Sequence, residues 1–132
     1  MFKALGIIPL HVISLAIYAS LAFTGTDMTA TSFTYGLPSG AVLVVSTGDW
    51  MVMLALLLLF IEIVKAVQIG WTSTMNNLFS SILFLCAFGF LLTNSLFGTT
   101  SFFLLTAIMF SDAFIGFIVG WASARRDWSF GG

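Results

Sequence analysis

The run MVMLALLLLFIEIVKA, residues 51–66, decides the fold class. Eleven uncharged, strongly apolar residues lead into Glu62 and Lys65, and Trp50 stands immediately before them. A helix that crosses the hydrocarbon layer needs about 20 mostly apolar residues. Extended to 50–69, this run meets that requirement. Three further runs do so as well, at about 4–23, 78–97 and 101–122. The composition agrees: 60% of the 132 residues are hydrophobic and 7% are charged, against about 45–50% and about 25% in an ordinary soluble domain. Mean hydropathy is +1.14. The expected architecture is an all-α, four-transmembrane-helix bundle forming one domain over residues 1–132. A short β-like external loop at 24–49 joins the first two spans.

Composition also removes function classes. A formal net charge of −1 offers no basic surface to nucleic acid and no polybasic tract to lipid headgroups. The single cysteine, Cys86, excludes an internal disulfide and multi-cysteine metal sites. The single histidine, His11, excludes His-x-x-x-His zinc chemistry. No nucleophile–base pair or phosphate-binding glycine loop stands out, so the expectation is a protein that is not an enzyme.

Orientation follows from the cations, which stay cytoplasmic. Lys3 precedes the first span, Lys65 ends the second, and Arg125 and Arg126 follow the fourth. All four fall on one side, which places both termini in the cytoplasm. Lys3 and the small residues near 20–22 resemble a secretory signal peptide; the expectation is a retained helix. Trp71, Trp121 and Trp128 mark the cytoplasmic edge and Trp50 the opposite one, as amphipathic indoles do. In the loop, Leu37-Pro-Ser-Gly40 is a turn signal, and 32–35 and 41–46 are placed to pair as a hairpin. Its apolar residues need cover from the helix ends, the membrane surface or a partner.

Ionisable side chains inside hydrocarbon are costly, so His11, Glu62, Lys65 and Asp112 are the candidate functional residues. With a rise of ~1.5 Å per residue, Asp112 lies ~16 Å, Glu62 ~18 Å and His11 ~18 Å from the external ends of their helices. Glu62 and Lys65, three apart, share a helix face and form an ion pair. Asp112, Gly116 and Gly120 form one stripe, and small-xxx-small spacing lets helix backbones approach closely in lipid. Pro9 bends the start of the first span and frees a carbonyl. Cys86 reads as a small hydrophobe. His11 could ligate a haem or chlorophyll metal, since one histidine in an apolar span suffices for a pigment site.

The segments LPSGAVLVVSTGDWMVMLALLLLFIEIVKA (37–66), TTSFFLLTAIMFSDAFIGF (99–117) and ARRD (124–127) resemble a family of small, uncharacterised, four-span bacterial inner-membrane proteins. The resemblance covers nearly half the chain and implies the topology. The chain departs from the family pattern at Val67-Gln68, where an arginine is usual, and at Asn76-Asn77, which replaces Asp-His. It also departs at 86–90, where an acid is usual. These departures favour packing over a proton path. The functional expectation is an accessory or assembly subunit of a larger inner-membrane complex (respiratory, photosynthetic or transport), partnered by the bilayer and by other subunits or its own copies. The alternatives are a small oligomeric proton or ion channel using Glu62, Asp112 and His11, and a pigment- or quinone-binding protein centred on His11.

Overall fold

The computed structural model describes residues 6–67 and 71–130, with the side chains at 72 and 127–130 excluded. Lys3 and the indole of Trp128 therefore lie outside the described residues. The element order is α1 (His11–Phe23), β1 (Thr31–Gly36), β2 (Val42–Ser46), α2 (Thr47–Ala66), α3 (Trp71–Thr93), a 3-10 turn (Ser95–Phe97) and α4 (Thr100–Phe130). Helices α2, α3 and α4 are each long and apolar enough to cross a membrane. The chain is thus a mostly helical membrane protein carrying one small sheet.

The first helix differs from the expected 4–23 span. It has 13 residues, about 20 Å at the α-helical rise, against a hydrocarbon thickness of about 30 Å. The cause is Pro9. Proline lacks an N–H and its ring clashes with the carbonyl four residues back, so a helix does not propagate through it. Residues 6–10 instead form turns, and the helix is initiated by Val12 N–H donating to Pro9 O (3.2 Å) and Ile13 N–H to Leu10 O (2.9 Å). Helix α3 begins at Trp71, seven residues before the apolar run at Leu78, because its polar first turns are drawn into the bundle by Asn76 and Asn77. Helix α4 has 31 residues, about 46 Å. It overshoots the hydrocarbon layer and carries Arg125 and Arg126 on its last turns.

The two strands pair antiparallel, with Phe33 opposite Val45 and Tyr35 opposite Leu43. The turn closes through Leu37 N–H to Ala41 O (2.8 Å) and Gly40 N–H to Leu37 O (2.9 Å). Gly40 adopts φ +84°, a left-handed conformation that glycine takes without steric penalty. The hairpin runs directly into α2 through a capping box: Asp49 N–H donates to Ser46 Oγ (3.2 Å) and Ser46 N–H to Asp49 Oδ2 (2.8 Å). The Ser-x-x-Asp spacing that produces it was readable at 46–49.

Helix α4 packs against both α2 and α3, while α1 leans on α2 and α3. At the hairpin end the core is aromatic, with Tyr18, Phe97 and Phe102 in mutual ring contact and Leu105 and Met109 buried beneath them. The Tyr18 hydroxyl hydrogen-bonds the Thr99 side chain, and Thr99 Oγ1 in turn accepts the Phe102 N–H (3.1 Å). Helix faces bearing Leu57, Phe60, Val64, Leu85 and Phe117 are exposed. Apolar association supplies little force between helices in lipid, so these faces meet acyl chains and the specific contacts between helices are polar or small.

Candidate functional site

At mid-bundle the four helices bring together a buried polar layer: His11 from α1, Glu62 and Lys65 from α2, Asn76 and Ser80 from α3, and Asp112 from α4. Glu62, 1% exposed, is its centre. Lys65 Nζ donates to both carboxylate oxygens, at 3.2 and 3.1 Å. Asn76 Nδ2 donates to Oε1 at 2.7 Å, and the Leu10 backbone N–H to Oε2 at 3.3 Å. Lys65 is shared in the same way, donating also to Ile8 O (3.0 Å) and to Asn76 Oδ1 (3.4 Å).

The origin of this arrangement is the late start of α1. A helix N-terminus leaves backbone N–H groups without intrahelical partners and carries the positive end of the macrodipole. Inside an apolar layer such groups must be satisfied by protein. Glu62 supplies a carboxylate to the Leu10 N–H, and Lys65 supplies a cation to the Ile8 carbonyl beyond it. The ion pair foreseen from the i, i+3 spacing is therefore also the seal of a broken helix. Lys65 is 21% exposed against 1% for Glu62, so its stem reaches toward the rim while its head stays paired.

Asp112 is 6% exposed and faces the bundle interior. Its carboxyl is within interaction range of Ser80 and feels the Glu62 and Lys65 charges, although the Ser80 hydroxyl finds no partner at hydrogen-bonding geometry. His11 is 1% exposed and lies within the fields of Glu62 and Lys65, yet neither ring nitrogen has a hydrogen-bond partner. The imidazole is enclosed by the bundle, so a haem or chlorophyll macrocycle would have to open the helices to reach either nitrogen. Among the described residues no group of three or more His, Cys, Asp or Glu is placed to hold a metal ion.

The glycine stripe divides. A Cβ on Gly116 would stand 2.5 Å from the terminal amide of Asn77, whereas one on Gly120 would meet nothing within 4 Å. With its amide turned to suit its neighbours, Asn77 donates to Ala113 O (2.9 Å) and accepts from Phe117 N–H (3.2 Å). It thus clips onto the α4 backbone. Gly116 makes room for an asparagine amide; the close approach is of side chain to backbone. Trp50, Trp71 and Trp121 are exposed, with the Arg125 guanidinium 4.0 Å above the Trp121 ring. Cys86 is free and exposed.

Asn76, Asn77 and Ser80 were not among the expected site residues because they are neutral, and only ionisable groups stand out in an apolar run. The available signal was the four-residue spacing of Asn76 and Ser80, which puts both on one face. The chain matches no protein-family model, no curated protein and no solved structure.

Proposed function

We propose that the protein is a non-catalytic integral membrane protein of the bacterial inner membrane, with cytoplasmic termini, that works as an accessory or assembly subunit by binding another membrane protein. One observation carries this reading. The hairpin at the end of α1 and α2 exposes apolar side chains on both of its faces: Phe33, Tyr35 and Leu43 on one, Val42 and Val44 on the other. The Phe33 and Tyr35 rings stack at 6.5 Å, nearly parallel. A two-stranded hairpin is marginal in water by itself, and its outer edges offer unpaired backbone groups to an incoming strand. A channel reading has less support, because the Glu62 carboxylate is already fully engaged and the hairpin end of the bundle is filled by Phe97, Phe102, Leu105 and Met109.

The test is gentle extraction into nanodiscs of wild type and of a Leu43→Lys, Val44→Lys variant, followed by identification of what travels with each. A companion protein present with wild type at fixed stoichiometry and absent from the variant supports the reading. Wild type that emerges alone and monomeric under every mild condition refutes it.

A further inference from the structure

The Trp121 end of the bundle holds a groove that neither the buried polar layer nor the hairpin uses. It runs between α3 and α4 and has a volume of 290 Å³. Ser73, Thr74 and Asn77 line it on the α3 side, and Phe117, Gly120 and Trp121 on the α4 side. A Cβ on Gly120 would meet nothing within 4 Å, so the glycine leaves that stretch of the groove open. Phe117 and Trp121 are themselves exposed, and the groove therefore faces the lipid and not the bundle core.

Its walls have the chemistry of a seat for an amphiphile. Phe117 and the Trp121 indole offer apolar surface. Ser73 and Thr74 bring hydroxyls within the first turn of α3, at the positive end of the helix dipole. The Arg125 guanidinium stands 4.0 Å above the Trp121 ring, which places a permanent cation on the α4 wall. The last turns of α4 hold two arginines, Arg125 and Arg126, against one acid, Asp127, so this end is positive. Its depth also fits, because Trp121 falls at the end of the apolar run 101–122, where indoles sit at headgroup level. Two arginines are too few for a polybasic tract of about 4–8 residues, but a basic pocket between spanning helices is a separate way of holding an anionic headgroup. The volume lies near the lower limit of about 300–1,000 Å³ for ligand pockets, which suits a headgroup whose acyl chains remain outside.

We infer that this groove binds the headgroup of one anionic phospholipid from the leaflet at the Trp121 end. Arg125 attracts the headgroup charge, the Ser73 and Thr74 hydroxyls donate to its oxygens, and the acyl chains run along Phe117. Arg125 also supplies the selectivity, since a zwitterionic headgroup would bring a cation of its own toward the guanidinium.

The test is native mass spectrometry of the full chain released from nanodiscs that contain phosphatidylglycerol and phosphatidylcholine in equal amounts with matched chains. Wild type should retain one phosphatidylglycerol in preference to phosphatidylcholine by about fivefold, the ratio that corresponds to about 1 kcal/mol for one arginine near the membrane surface. Arg125→Gln should bring that ratio close to unity. Gly120→Leu keeps every charge but fills the groove, and should lose the retained lipid itself. Ser73→Ala with Thr74→Ala also keeps every charge and should weaken retention of both lipids. Equal retention of the two lipids by wild type would overturn the inference, as would an unchanged preference in Arg125→Gln. An unchanged preference in both charge-preserving variants would assign the effect to surface charge outside the groove and overturn it too. Displacement of the lipid by excess inorganic phosphate would make this a site for a free anion, and a lipid-free dimer abolished by Gly120→Leu would give the groove to a second copy; either result refutes the lipid. Circular dichroism checks the fold of each variant, and the exposed positions of Arg125 and Thr74 keep the test decisive should Gly120→Leu fail to fold.

Discussion

Separate and joint removal of Glu62 and Lys65 should give unequal and strongly non-additive losses of stability. Lys65→Met leaves a carboxylate that is 1% exposed with only the Asn76 amide and the Leu10 N–H as donors. Removing one partner of a buried ion pair costs about 3–5 kcal/mol because the other charge stays behind uncompensated, and the upper part of that range applies here. Glu62→Gln leaves Lys65 with 21% of its side chain exposed and with the Ile8 and Asn76 oxygens still in reach. It can turn its head toward the rim, so the cost falls to about 2–3 kcal/mol, including the weakened cap on Leu10. The double variant has no stranded charge. It should lose less than the two singles together, with a coupling of about 0.5–3 kcal/mol, the range for residues in direct contact. The assay is reversible unfolding in mixed micelles, with helix content followed by circular dichroism. Equal single losses, or a double loss equal to their sum, would show that the pair does not act as a unit and that α1 is sealed by something else.

Three further outcomes follow from the geometry. Gly116→Ala should displace the Asn77 amide from Ala113 O and Phe117 N–H and cost about 1–3 kcal/mol, whereas Gly120→Ala should be neutral or stabilise by up to about 1 kcal/mol, the helix-propensity gain over glycine; the same unfolding assay reads both. Ser46→Ala removes one half of the capping box and should lower stability by about 1 kcal/mol, visible first as earlier proteolysis at the hairpin–α2 junction. Asp27 accepts the Thr29 hydroxyl (2.7 Å) and the Thr29 N–H (2.9 Å), which together hold its carboxyl below the ordinary value of 3.8; the stabilisation is complete above that value and is lost as pH falls through the lower folded value, so Thr29→Ala should move the carboxyl titration measured by NMR back toward 3.8.

What the sequence revealed and concealed has a physical pattern. Helices α2 and α4 were legible because long apolar runs have one stable backbone solution in lipid, with hydrogen bonds satisfied inside the segment. The hairpin was legible because Leu37-Pro-Ser-Gly40 is turn chemistry flanked by β-branched residues. Helix α1 was overdrawn: the stretch from Gly6 to Leu10 is apolar enough to read as span, and hydropathy gives Pro9 no weight as a terminator. The start of α3 was missed for the opposite reason, since WTSTMNN (71–77) is polar yet faces inward. His11, Glu62, Lys65 and Asp112 stood out because ionisable groups are rare in such runs. Their partners did not, because the fit of Asn77 to Gly116 is a property of two helices at a particular crossing, and neither helix carries it alone.

The polar groups of this bundle sort by what would happen to the backbone without them. Starting α1 only at His11 leaves the Leu10 N–H and the Ile8 carbonyl in the apolar layer, and an acceptor and a donor from another helix meet both. Glu62 and Lys65, one helical step apart on α2, supply that combination while cancelling each other's charge, so their chemistry is consumed by the fold. The side chains of Asp112, Ser80 and His11 answer no such need, and an apolar residue at any of the three would spare the bundle a desolvation cost. Disruption of the first group should therefore destabilise the protein strongly, whereas near-isosteric changes in the second should leave it folded. The buried layer thus holds two kinds of polar group, one consumed in holding the helices and one free of that task.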